Sequence, residues 1–269
     1  MVKKLLKHEF LAWLRIMPVL YGIQLTVAAL NRGIQLFESE SIYYSIISVS
    51  AMVMYVVVLL VGFATPTVFG VTRFYKNLFS GEGYLTFTLP VTTDAHLWVK
   101  VLTAVCFSVA SVLVALLSGM IVTAGEVFRE VCKAIAYLVG LIPQEAAGHI
   151  AFYCVELVLC MLAAAFGSYL MYDTCICVGQ LFRKNRILAA VGVYFGFYVI
   201  SQILSTVMSV VFMTLELSGA LEQIYTLIEQ NLYETVHIVL CGSLVLCVVM
   251  GLVYYLVCRT IIRKKLNLE

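Results

Sequence analysis

The sequence predicts an all-α polytopic membrane protein: six transmembrane helices, an N-terminal interfacial helix, and both termini cytoplasmic. Three observations carry this reading. First, 63% of the 269 residues are apolar and only 12% are charged. No soluble fold buries that much apolar side chain. Second, continuous apolar runs of spanning length fall at 16–36, 44–70, 101–123, 149–178, 187–215 and 236–262. A helix needs roughly 20 such residues to cross the hydrocarbon core. Backbone groups in lipid must be satisfied within the segment, which favours helices, and continuous rather than alternating runs argue against a β-barrel. Third, the basic residues are segregated. Lys3, Lys4, Lys7 and Arg15, then Arg73, Lys76 and Lys100, then Arg183, Lys184 and Arg186, then Arg259, Arg263, Lys264 and Lys265 all fall on one side of the six-span arrangement. Only Arg32, Arg129 and Lys133 of the 17 fall on the other, where the connections are acidic. The positive-inside bias places the first set, and both termini, in the cytoplasm.

The elements follow in order. Residues 1–15 put Val2, Leu5, Leu6, Phe10 and Trp13 on one helical face and Lys4, Lys7, His8 and Arg15 on the other. That pattern suits a helix lying on the cytoplasmic leaflet. The first apolar run is too long, and lacks a small-residue cleavage site, for a cleaved signal peptide. Pro66 should bend the second span. The outer connection at 124–148 is expected to be partly helical, and 216–235 to hold a short amphipathic helix, with Leu221, Ile224, Tyr225, Ile228 and Leu232 at helical spacing.

Within the spans, Glu156 and Asp173 are the costly residues. Intramembrane carboxylates are functional candidates because burying them is expensive. For Glu156 two readings stand: it lines a substrate path and meets a cationic group, or it snorkels or hydrogen-bonds a neighbouring helix. Asp173, near the inner end of the fourth span, reads as interfacial. Gly192 and Gly196 form a GxxxG in the fifth span, suited to close helix contact inside the chain or across a dimer seam. The nine cysteines include no CxxC and read as small apolar filler.

The sequence contains no GxxxxGK[ST], no HExxH and no Gly-x-Ser-x-Gly, and no basic stripe suited to nucleic acid. Enzymatic work by this chain alone is not expected, nor is a metal site or a cofactor of its own. What stands out is the connection at 73–100, RFYKNLFSGEGYLTFTLPVTTDAHLWVK, which is far longer than a turn requires. Phe74, Tyr75, Leu78 and Phe79 share one broad helical face. Gly81 and Gly83 then permit a sharp turn around Glu82, the only acid between Arg73 and Asp94. A second apolar and basic segment, GQLFRKNR, occupies 179–186.

The whole chain resembles the permease subunits of type-2 ABC exporters from Gram-positive bacteria. RFYKNLFSGEGYLTFTLPVT carries most of the resemblance, and GQLFRKNRILAA is similar to the family's second cytoplasmic connection. The resemblance implies one permease domain over 1–269 in a bacterial plasma membrane, with 73–97 as a coupling segment docking on a separate ATPase. Leu78, Phe79, Gly81, Glu82, Gly83, Tyr84 and Leu85 would form the docking element. Gln180, Phe182, Arg183 and Arg186 would make a second cytoplasmic contact. ATP and Mg would be bound by the ATPase partner. A second permease chain, identical or similar, would complete the path among the membrane lipids. The apolar, aromatic spans suit an amphipathic or hydrophobic substrate, with a toxin or antimicrobial peptide first and lipids or small drugs next. The alternatives are a self-sufficient secondary transporter or channel, and a peptide-binding immunity protein.

Overall fold

A computed structural model describes residues 2–37, 41–80, 83, 91–140, 147–182, 185–219, 226 and 231–265. The protein is an all-α, multi-pass membrane protein, with no strand among the described residues. Its helices are α1 (Val2–Leu14), α2 (Met17–Gln35), α3 (Ile42–Phe79), α4 (Thr93–Val122), α5 (Glu126–Gly140), α6 (Ala147–Gly179), α7 (Arg186–Leu217) and α8 (Leu232–Lys265). Six segments are long and apolar enough to cross a membrane, the first comprising α1 and α2 together. The chain divides into two compact units, Met1–Ile142 and Pro143–Glu269.

In the first unit α2, α3 and α4 pack on one another, and α1 packs mainly on α4. The break between α1 and α2 at Arg15 and Ile16 has a local cause. Pro18, in the first turn of α2, has no N–H to return to the preceding turn. Despite the break, α1 and α2 keep one antiparallel register along α3: Glu9 meets Arg73, Trp13 meets Phe69, and Ala28 meets Tyr55. They run parallel to α4, with Glu9 at Lys100, Trp13 at Phe107 and Gln24 at Ser118. Trp13 stacks on Phe107 at 5.1 Å and meets Phe69 edge-on at 4.8 Å. Each such aromatic pair adds about 0.5–1.5 kcal/mol beyond its buried area. Farther along, Gln24 Nε2 donates to Ser118 Oγ at 3.2 Å, and the Tyr55 hydroxyl lies 3.1 Å from the same oxygen. Gly62 makes room for this: a Cβ there would lie 2.6 Å from Gln24 Oε1. The chain stays helical through Pro66, which is buried.

α3 has 38 residues and is about 57 Å long at 1.5 Å per residue, well beyond a hydrocarbon core of about 30 Å. α4 begins at Thr92, whose hydroxyl accepts the Ala95 amide at 3.3 Å. At the other end of α4, Ala124 and Gly125 both take positive φ and turn the chain into α5. The part-helical expectation for 124–148 is met by α5.

In the second unit α6 packs against both α7 and α8. α6 and α8 run parallel, in register at an offset near 81 residues, from His237 at Glu156 to Cys258 at Cys177. Gly167 and Gly251 let these two backbones approach; a Cβ on Gly251 would sit 3.9 Å from the Gly167 Cα. α7 returns antiparallel from a tight connection, where Gly179 lies against the Ala190 backbone and Asn185 adopts a left-handed conformation. The GxxxG of α7 makes no close approach to another described residue of its unit. A Cβ on Gly192 or Gly196 would meet nothing within 4 Å, and no described residue of α7 is buried. Of the 216–235 connection, most lies outside the described residues.

Candidate functional site

The polar connection at 73–100 is anchored at both ends on one carboxylate. Glu9 on α1 is 7% exposed. Arg73, near the end of α3, reaches it side-on, with Nε donating to Oε1 at 2.6 Å and Nη2 to Oε2 at 3.0 Å. Lys100 on α4 donates to Oε1 at 3.4 Å and is itself 9% exposed. The flanks of the connection therefore converge on α1 through a buried cluster of one anion and two cations. A bidentate Arg–carboxylate pair fixes geometry as well as charge.

The connector's own residues divide. Leu78 is buried within the chain at 1% exposure, as is Phe74, and the Phe74 and Phe79 rings lie 6.0 Å apart. Leu78 thus packs the first unit, while Phe79 is half-buried. Gly83 is buried, and its amide donates to the Ser80 carbonyl at 2.7 Å. Gly81, Glu82, Tyr84 and Leu85 lie outside the described residues. On the second connection Phe182 is 52% exposed, Gln180 and Arg186 are half-buried, and Arg183 lies outside the described residues.

Glu156 meets a neighbouring helix. His237 on α8 places Nδ1 at 2.9 and 3.0 Å from its two carboxylate oxygens. His237 Nε2 in turn lies 3.0 Å from His149 Nδ1 on α6. Tyr153 donates its hydroxyl to the Tyr233 carbonyl at 2.8 Å, and its ring lies 4.4 Å from that of His237. Cys241 Sγ is 3.9 Å from Glu156 Oε1. Of the two readings of Glu156, the helix-to-helix hydrogen bond is present. No group of three or more His, Cys, Asp or Glu suited to a metal ion occurs among the described residues. Near the other end of this unit, Cys177 and Cys258 are fully buried with their sulfurs 3.0 Å apart, and Asp173 is 5% exposed. Most of the other cysteines are partly or fully exposed at apolar surfaces.

Glu9, His149 and His237 were not singled out by sequence reasoning. Glu9 did leave a signal. It is the only acid in the first 37 residues and sits four positions from both Leu5 and Trp13, on the apolar stripe of α1. The histidines left none, being 88 residues apart and joined only by the parallel register of α6 and α8.

No family model, curated protein or solved structure matches the chain.

Proposed function

We propose that the chain is the membrane-spanning subunit of an ATP-driven ABC exporter, moving an amphipathic or hydrophobic substrate out of a bacterial cell. ATP hydrolysis would occur on a separate subunit docked at the 73–97 connector, and a second permease chain would complete the path. The observation that carries this reading is the convergence of Arg73 and Lys100 on Glu9. A connector held at both flanks by one buried carboxylate transmits displacement to α1, α3 and α4 together. That is the mechanical property a coupling segment needs. The basic bias supports cytoplasmic termini, which puts the connector on the side where ATP is available. Phe79, Glu82 and Tyr84 are the docking anchors in this proposal, since a few aromatic and charged residues usually carry such interfaces.

The test is copurification. A P-loop ATPase should accompany the wild-type chain out of native membranes, and Tyr84→Ala or Glu82→Arg should reduce its recovery without preventing membrane insertion. Absence of any ATPase, or equal recovery with both variants, would remove the proposal's support.

One observation favours a second reading, a self-sufficient secondary transporter. Ionisable side chains hydrogen-bonded between spans are the usual means of carrying a coupling ion, and Glu156, His237 and His149 are so arranged. That reading predicts transport by the purified chain with no ATPase present.

A further inference from the structure

The geometry between α6 and α8 points to a second kind of site, independent of the exporter proposal. We infer that His149, His237 and Glu156 bind a single proton from the medium and share it along one hydrogen-bonded chain.

The donors and acceptors are constrained. An ionised carboxylate only accepts hydrogen bonds. With Glu156 ionised, His237 Nδ1, facing both its oxygens, carries a hydrogen and donates. With that ring neutral, His237 Nε2 is a bare acceptor aimed at His149 Nδ1, 3.0 Å away. His149 Nδ1–H then donates to it, and His149 Nε2 is left with the lone pair. His149 stands in the first turn of α6 and is only half-buried. It is the member through which a proton enters. Glu156 lies seven residues farther along α6, about 10 Å deeper at 1.5 Å per residue.

A proton delivered by water or a buffer acid to His149 Nε2 makes that ring cationic. Its Nδ1 proton crosses to His237 Nε2. His149 is then neutral with its hydrogen on Nε2, and His237 is an imidazolium against the Glu156 carboxylate. One proton is gained and no electron moves. The product is a cross-helix ion pair with a further hydrogen bond, flanked by the Tyr153 ring at 4.4 Å, whose face favours a cation. A second proton is opposed, because the two facing nitrogens, 3.0 Å apart, leave room for one hydrogen and not two.

Among the described residues, the other titratable groups facing the chain of three are Tyr153 on α6, and Tyr233 and Cys241 on α8. Glu234 on α8 and Glu216 on α7, the helix that also packs on α6, are exposed and make no side-chain hydrogen bond to it among the described residues. The two facing nitrogens, already bonded to each other, suit a proton better than a metal.

The experiment is nitrogen-15 NMR of the full chain, labelled at histidine, in lipid nanodiscs between pH 8 and pH 5. His237 should carry a hydrogen on Nδ1 throughout, and the two rings together should gain one proton per chain. Glu156→Gln keeps an oxygen acceptor but removes the charge. It should preserve the His237 tautomer, because the amide oxygen still accepts from Nδ1. Two rings each gaining a full proton independently, or a bare His237 Nδ1 at pH 8 in the wild type or in Glu156→Gln, would each overturn the inference. The wild-type count needs no variant to fold. Because no ATPase is present, the outcome is separate from that of the exporter proposal.

Discussion

Replacing Glu9 by Gln tests the cluster beneath the connector. The amide keeps the shape of the carboxylate and removes its charge. Arg73 then loses a bidentate partner, and Lys100, 9% exposed, loses the carboxylate 3.4 Å from its ammonium. Removing one partner of a buried ion pair costs about 3–5 kcal/mol. The Arg73 side chain is 25% exposed, and its access to water relieves part of that, so the lower end, about 3 kcal/mol, is expected. This corresponds to roughly a hundredfold in the unfolding equilibrium. The assay is reversible unfolding of the full chain in mixed micelles, applied to Glu9→Gln, Arg73→Gln and the double variant. The two changes share one interaction, so the double variant should cost less than their sum by about 0.5–3 kcal/mol. A cost of Glu9→Gln below about 1 kcal/mol, additive with Arg73→Gln, would refute the reasoning.

Three further outcomes are expected. Gly62→Ala drives a methyl to 2.6 Å from Gln24 Oε1, so Gln24 must leave Ser118. The loss, about 1 kcal/mol by the same unfolding assay, should vanish when Gln24→Ala is already present. Gly179→Ala meets the Ala190 Cβ at 2.6 Å and backbone N at 2.7 Å. Backbone has to move, so about 1–3 kcal/mol should be lost, and Ala190→Gly should restore only part of it. Retaining only Cys177 and Cys258 should permit efficient joining of α6 to α8 by a membrane-permeant thiol oxidant, read as a cross-linked fragment pair after cleavage between the helices. A lack of cross-linking would count against their parallel register.

The fold class was legible because a membrane imposes one requirement on the whole chain. Six apolar runs of spanning length appear as helices at close to the expected positions. Two element ends are set by side chains, Pro18 at the start of α2 and Thr92 before α4, and neither was among the sequence expectations. Pairing was not readable. Small residues announce that close approach is possible without saying which helix comes close. A Cβ on Gly192 or Gly196 would meet no described residue within 4 Å, while the approach actually made uses Gly167 and Gly251, 84 positions apart and without a local motif. The same limit applies to charge. Glu156 was recognisable as costly, but its partner is on a helix 81 positions away. Leu78 shows the opposite case. Its place on the apolar face of the connector was visible, yet that face turns inward and packs the chain's own core.

The most direct measurement of the exporter proposal is site-specific photocross-linking in native membranes, with a photoreactive phenylalanine at Tyr84 and, separately, at Phe182. Adducts are then identified by mass spectrometry. Both positions should capture a P-loop ATPase, and position 84 should lose its adduct when Glu82→Arg is added. Capture of lipid alone, or of a protein without a nucleotide-binding domain, would contradict a docked ATPase as the partner of this chain.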